Sequence, residues 1–146
     1  MSAKMSDAEL LNKAFDIYKI SIISIDNRHE SSITKSQIET IIGFAESHAS
    51  EGTEVLCAFV LRQGSREKYR RPAHLMAKEL LNMDHESASR FLNYLKWIIE
   101  VGDPEDARSS NDFRDFVTKL AQKSAQGSGS FGMSNARGVG PSYGRK

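Results

Sequence analysis

Apolar residues recur every three or four positions along most of the chain, which is the spacing of amphipathic helices. The first stripe runs from Asp7, a residue suited to an N-cap, to about Ser24. A second helix is expected after Thr34, because Gln37 follows it in the capping-box arrangement. The apolar run VLCAFVL at 55–61 fits a strand or a helix by pattern alone. Helical neighbours favour a helix, since a lone strand would leave its backbone groups unpaired.

Three further helices complete the prediction. One starts near Pro72, another is capped by Asp84 and ends at Gly102, and the last covers about 110–122. We therefore predict an all-α fold, a compact bundle of about five or six helices in one domain over residues 1–123.

The character of the chain changes at residue 124. Residues 124–146 hold six glycines and five serines and show no helical period. This composition is typical of a flexible tail. Its aromatic and basic residues could make weak contacts with RNA, but an inert solvated tail is favoured.

Composition limits the environment of the protein. Cys57 is the only cysteine in 146 residues, so an internal disulfide and a cysteine-based zinc site are both excluded. The sequence contains neither an apolar signal core at its start nor a run of about 18 apolar residues. We expect a soluble protein that resides in the cytoplasm and does not contact a membrane.

The candidate catalytic groups are weak. Cys57 lies in an apolar run, where a thiol is inert, and the four histidines show no metal-ligand spacing. No glycine-rich loop lies between a strand and a helix, where phosphate loops occur. We predict that the protein is not an enzyme and that it needs no cofactor.

Positive charge is concentrated in RQGSREKYRRP, residues 62–72, although the formal net charge of the chain is only +1. The bases of this segment are Arg62, Arg66, Lys68, Arg70 and Arg71, and Glu67 is its one acid. Gln63-Gly64 is expected to end the third helix, which would make this segment the connection to the fourth. Guanidinium groups form forked hydrogen bonds with phosphate oxygens, so the segment favours binding of a nucleic-acid backbone. The alternative is a solvated turn whose cations complement the C-terminal dipole of the third helix.

Three aromatic residues have two interpretations each. Tyr69, within the basic segment, could stack on a base or cover the hinge between two helices. Tyr94 and Trp97 flank the apolar stripe of the fifth helix. Core packing is favoured for them over an exposed seam that contacts another protein.

Three blocks of sequence resemble the small all-helical subunit family of type III CRISPR effector complexes, the Csm-type small subunit. The first is ITKSQIETIIGF at 33–44, and the second is LCAFVLRQGSRE at 56–67. The third joins FLNYLKWIIE at 91–100 to DFRDFVTKL at 112–120. The glycine-rich tail and the long basic connection depart from the family pattern, and the equivalent small subunit of a type I archaeal complex is the nearest alternative.

The resemblance implies a non-catalytic helical bundle whose copies stack along a filament of guide and target RNA. Its partners would be these two RNA strands, other subunits of the complex and copies of itself. Arg62 and Arg66 match the glycine and arginine segment of the family, whereas Lys68, Arg70 and Arg71 are included on charge and placement. The weaker nucleic-acid-binding candidates are Lys78 and Arg90.

A different class of function also fits a helical domain. The protein could be an interaction or filament-forming subunit, such as a scaffold or virion protein, whose basic turn meets an acidic patch on a neighbour.

Overall fold

The computed structural model describes residues 5–25 and 32–130. Within those ranges the chain is all-α, as predicted, with no strand, and no helix there is both long and apolar enough to cross a membrane. The helices are α1 (Asp7–Ile25), α2 (Lys35–Ser47), α3 (Thr53–Glu67), α4 (Arg70–Leu81), α5 (His85–Val101), α6 (Pro104–Arg108) and α7 (Phe113–Ser130). A short 3₁₀ turn, Ala49–Glu51, lies between α2 and α3. The ambiguous run VLCAFVL is helical, as predicted.

The chain divides into two compact units, Met1–Arg108 and Ser109–Lys146. In the first unit, α1 packs against α4, α5 and α6, while α2 packs against α5 and α3. Helices α3 and α4 form a closely packed hairpin. The fully buried apolar side chains of this unit include Leu10, Ala14, Phe15, Ile38, Ile41, Val60, Ala73, Met76, Leu80, Phe91, Leu92 and Leu95.

Local capping signals set the starts of several helices. The capping box of α2 is present as predicted, with Thr34 and Gln37 each bonded to the other's backbone N–H. Helix α1 is capped one residue earlier than predicted. Ser6 Oγ accepts from the N–H of Glu9 at 3.2 Å, and Glu9 Oε1 accepts from the N–H of Ser6 at 3.2 Å. Asp7 instead accepts a hydrogen bond from the hydroxyl of Tyr94 at 2.9 Å.

Ion pairs link the helices of the first unit across their exposed edges. Lys13 of α1 pairs with Glu79 of α4 at 2.9 Å. Helices α2 and α5 are joined by two pairs, Lys35–Glu100 at 3.1 Å and Glu39–Lys96 at 3.3 Å. Such partly exposed pairs each contribute at most about 1 kcal/mol, so apolar burial remains the main source of stability.

The second unit contains α7, which extends further than the sequence pattern indicated. The predicted end was near Gln122, but the helix continues to Ser130, so the predicted boundary at 123/124 falls inside it. In the extension, Lys123, Ala125 and Gln126 are good helix formers, whereas Gly127 and Gly129 are poor ones, so helix propensity accounts only for its first half. Residues 131–146 of the predicted tail lie outside the described residues.

Candidate nucleic-acid interface

The basic segment forms a tight corner between two helices. Helix α3 continues through Gly64 to Glu67, and α4 begins at Arg70, so only Lys68 and Tyr69 separate them. The prediction that Gln63-Gly64 ends α3 was therefore wrong, as was the long connection inferred from it. We call the five side chains of Arg62, Arg66, Lys68, Arg70 and Arg71 the basic corner.

Gly64 lies inside α3, where it allows close packing against α4 and does not end the helix. A Cβ atom built on Gly64 would lie 2.3 Å from the Cβ of Ala73 and 3.4 Å from the carbonyl oxygen of Tyr69. Real Cβ atoms do not approach each other so closely. The missing side chain thus lets α3 and α4 approach each other next to the basic corner, and the position is buried although glycine lowers helix propensity.

The chain turns at Lys68, which adopts the left-handed conformation with φ 65°. Its backbone N–H bonds to the carbonyl of Gly64, and the N–H of Tyr69 bonds to the same oxygen at 2.9 Å. Glycine is the usual residue for this position, because a side chain there costs about 1 kcal/mol. A lysine at this point places a charge at the corner in spite of that cost.

Tyr69 is fully buried beneath the corner, with a side chain 0% exposed. Base stacking by Tyr69 is therefore ruled out in this conformation, and the interpretation that it covers the hinge is correct. Its hydroxyl has no hydrogen-bond partner among the described residues. Burial, and to a lesser degree the charge of Glu67, raises the pKa of Tyr69 to about 12.

Replacing Tyr69 by phenylalanine should raise the free energy of unfolding by about 1 kcal/mol at pH 7, because an unpaired buried hydroxyl is removed. The gain should grow above pH 10. The pKa of Tyr69 is about 12 in the folded state and near 10 in the unfolded state. Between pH 10 and 12 the unfolded wild type therefore loses this proton while the folded protein keeps it, which lowers the free energy of unfolding of wild type as pH rises. The phenylalanine variant has no such proton to lose. Urea unfolding of wild type and the variant at pH 7 and about pH 10.5 measures the difference in their free energies of unfolding. A less stable variant at pH 7 would show that the hydroxyl has a partner.

All five side chains of the basic corner are exposed. Among the described residues, Arg62, Arg66, Lys68 and Arg70 form no ion pair. This differs from the basic residues that link the helices elsewhere in the first unit, each of which faces a carboxylate. The charges of these four residues are therefore not paired with carboxylates in the part of the chain that the structure describes.

The positions of these charges are favourable for α3 and unfavourable for α4. Arg66 and Lys68 lie at the C-terminal end of α3, where cations interact well with the helix dipole. Arg70 and Arg71 occupy the first turn of α4, which contains no acidic residue and whose N-cap makes no side-chain hydrogen bond. Cations at a helix N-terminus are destabilising by about 0.3–1 kcal/mol each. Interaction with a helix dipole thus accounts for the positions of Arg66 and Lys68 but not for those of Arg70 and Arg71.

Reversing the charge of Arg70 with glutamate should raise the free energy of unfolding by about 0.5 kcal/mol, because a carboxylate suits the N-terminus of α4. Arg70→Gln should give roughly half of that gain. Both variants should bind RNA more weakly than wild type. Urea titration and fluorescence anisotropy with labelled RNA measure the two effects. A loss of stability in Arg70→Glu would show that the arginine stabilises the helix after all.

The two weaker candidates lie away from the corner. Lys78 is exposed on α4, two turns after Arg70, and forms no ion pair among the described residues. Arg90 lies on α5, and its guanidinium contacts Glu86 at 2.9 Å and Asp7 at 3.4 Å. Its charge is thus partly balanced by two carboxylates, which leaves it less available to a phosphate than the corner residues.

Tyr94 and Trp97 of α5 are more exposed than predicted. Trp97 is 57% exposed, so the expectation that it packs in the core was wrong. Tyr94 is half-buried, and its ring lies 5.3 Å from that of Trp97. Trp97 and Val101 lie one turn apart and are both exposed, which favours the alternative of an apolar seam on this helix.

Cys57 and His48, two of the groups considered for chemistry, occupy structural positions. Cys57 is buried, and its thiol donates to the carbonyl of Ala77 at 3.2 Å. Burial raises the pKa of this thiol, and Glu54 adds to the shift, so the reactive thiolate is disfavoured. His48 stacks on Phe44 at 3.9 Å. In the part of the chain that the structure describes, no group of three or more His, Cys, Asp or Glu side chains could hold a metal ion, and His29 lies outside that part.

Comparisons of the chain with protein-family models, with curated proteins and with solved structures found no match.

Proposed function

We propose that this protein is a non-catalytic subunit that binds the phosphate backbone of RNA through the basic corner, without reading the base sequence. The resemblance described above suggests the assembly, a cytoplasmic CRISPR ribonucleoprotein in which it would hold the guide and target strands beside copies of itself. The observation that carries the proposal is the set of four exposed cations, Arg62, Arg66, Lys68 and Arg70, that form no ion pair with any carboxylate of the described residues.

The mechanism would be electrostatic. Cations of the corner would displace counterions from the RNA phosphates. The free energy gained by this release is independent of base sequence. A phosphate near the first turn of α4 would also compensate the clash between Arg70, Arg71 and the positive end of the helix dipole. Because Tyr69 is buried, the corner offers no aromatic ring for base stacking, which is consistent with contacts to the backbone alone.

A second candidate is a protein-interaction or filament-forming subunit. The specific observation that favours it is the exposed pair Trp97 and Val101 on α5, since exposed aromatic residues are enriched in protein interfaces. This surface and the basic corner can coexist, because α5 packs mainly on α1 and α2 whereas the corner belongs to α3 and α4.

Binding of purified protein to fluorescein-labelled RNAs of unrelated sequence tests the proposal. We expect saturable binding with dissociation constants that agree within about threefold between sequences, because phosphate contacts carry no sequence information. Concentration-dependent filaments that form without RNA and resist nuclease, together with no saturable RNA binding, would favour the second candidate and contradict the first.

A further inference from the structure

An open groove runs along one face of the α3–α4 hairpin, beginning near the basic corner. Its apolar walls are Ala58 and Leu61 of α3 and Ala77 and Leu81 of α4, with Cys57 at its base. Together with Glu54 on α3 and His74 on α4, the lining residues of each helix recur at intervals of three, four and seven, so they share one helical face. About two helical turns on each wall are involved, or roughly 10 Å of length.

The two large apolar residues of the groove face solvent. Leu61 is 41% exposed and Leu81 is 56% exposed, although they lie on facing helices and border the same depression. Single exposed leucines are ordinary on protein surfaces, but two that flank a shared concave surface are typical of a binding site for an apolar partner.

Charge around this groove is mostly positive. Lys78 lines its α4 wall, one turn after His74, and Arg70 lies one turn before His74 on the same helical face. Arg62 follows Leu61 directly on α3. Glu54, at the end away from the corner, is the only acidic residue in the lining. An occupant with carboxylates along its edges would therefore be electrostatically matched to the rim.

Two ways in which this chain could fill its own groove are disfavoured. A dimer in which the corner ends of two grooves meet would bring Arg62 and Arg70 of both copies together, which like-charge repulsion disfavours. The last 23 residues of the chain contain Arg137, Arg145 and Lys146 and no acid, so they share the sign of the rim.

We propose that the groove is a docking site for an acidic amphipathic helix of a different protein. Leucine-like residues of that helix, spaced at i, i+4 and i+7, would lie between Leu61 and Leu81, as in other helix-in-groove interfaces. Its flanking carboxylates would face Lys78 and the arginines at the corner end. The proposal concerns a protein surface and does not depend on RNA binding.

A synthetic helical peptide of about 16 residues tests this, with leucines at i, i+4 and i+7 and glutamates on both flanks. A second peptide carries lysine in place of every glutamate. Fluorescence anisotropy should show saturable binding of the glutamate peptide and binding at least about tenfold weaker for the lysine peptide. The double variant Leu61→Ser/Leu81→Ser should weaken binding of the glutamate peptide by about tenfold or more, because it removes both apolar anchors.

Val117→Ser is the matched control, because Val117 is a similarly exposed apolar residue on α7 and lies outside the groove. It should leave peptide affinity unchanged. Lys78→Glu should narrow or reverse the preference between the two peptides. Equal affinity for both peptides, no saturable binding, or indifference to the double variant would overturn the proposal. It would also be overturned if the double variant abolished self-association of the protein or its affinity for RNA, since another copy or RNA would then be the occupant.

Discussion

Gly64→Val is expected to lower the free energy of unfolding by about 3 kcal/mol, the largest effect on stability that we predict for a single substitution. A β-carbon at this position would lie 2.3 Å from the Cβ of Ala73, so α3 and α4 would have to separate. The new side chain would also crowd the carbonyl of Tyr69 and the Cα of Arg70, both about 3.5 Å or less from the added atom. We therefore expect the variant to perturb the basic corner and to weaken RNA binding in addition to stability. Urea unfolding measures the first effect.

Gly43→Ala provides the matched control. Gly43 lies in α2, is exposed, and has no atom within 4 Å of a built Cβ. Alanine there should stabilise the protein by roughly 0.5–1 kcal/mol through helix propensity alone. A loss of stability at Gly64 and a gain at Gly43 would show that packing against α4, and not helix propensity, determines the effect at Gly64.

The double variant Gly64→Ala/Ala73→Gly tests the contact itself. It moves one methyl group from α4 to α3 and leaves the sum of helix propensities nearly unchanged. We expect Gly64→Ala alone to be destabilising and the second substitution to restore most of the loss, with a coupling energy of about 1 kcal/mol or more. Additive effects would show that the two residues do not limit the approach of the helices.

The fold was predictable because its signals are local. Apolar periodicity located the helices, and the Thr34–Gln37 capping box located the start of α2. The Ser6–Glu9 capping box was equally visible, but the adjacent Asp7 was preferred as the cap. Gly64 was misread because a glycine followed by polar residues usually ends a helix. Its real role depends on Ala73, a contact across the hairpin that spacing along one chain does not show.

The candidate site was predictable in charge but not in geometry. The five bases of the corner stand out in the sequence, and their exposure follows from their charge. Sequence alone could not show that Arg70 and Arg71 begin a helix, that Tyr69 is buried, or that Arg90 faces two carboxylates. The groove beside Leu61 and Leu81 was also missed, because either residue fits the apolar stripe of its own helix.

Replacing Arg62, Arg66, Arg70 and Arg71 together by alanine should weaken RNA binding by on the order of 100-fold at 0.1 M salt, if each arginine contacts one phosphate. Helical content should be retained, because all four side chains are exposed and alanine is a better helix former. Fluorescence anisotropy and circular dichroism measure the two properties.

The paired variant Arg108→Ala/Arg114→Ala is the control, since both residues are exposed and lie outside the corner. It should reduce RNA affinity by no more than about threefold, the effect of a small change in net charge. Equal losses of log affinity per arginine removed in the two variants would mean that overall charge, and not the corner, determines binding.

The salt dependence of RNA binding tests the central claim most directly. Dissociation constants of wild type and the four-alanine variant should be measured for one RNA between about 50 and 300 mM salt. Each phosphate contact with a single strand contributes roughly 0.7 to the slope of log affinity against log salt. With four contacts removed, the slope should be shallower by about 3 in the variant. Parallel lines of equal slope would contradict the account, because they would mean that the basic corner releases no counterions from RNA.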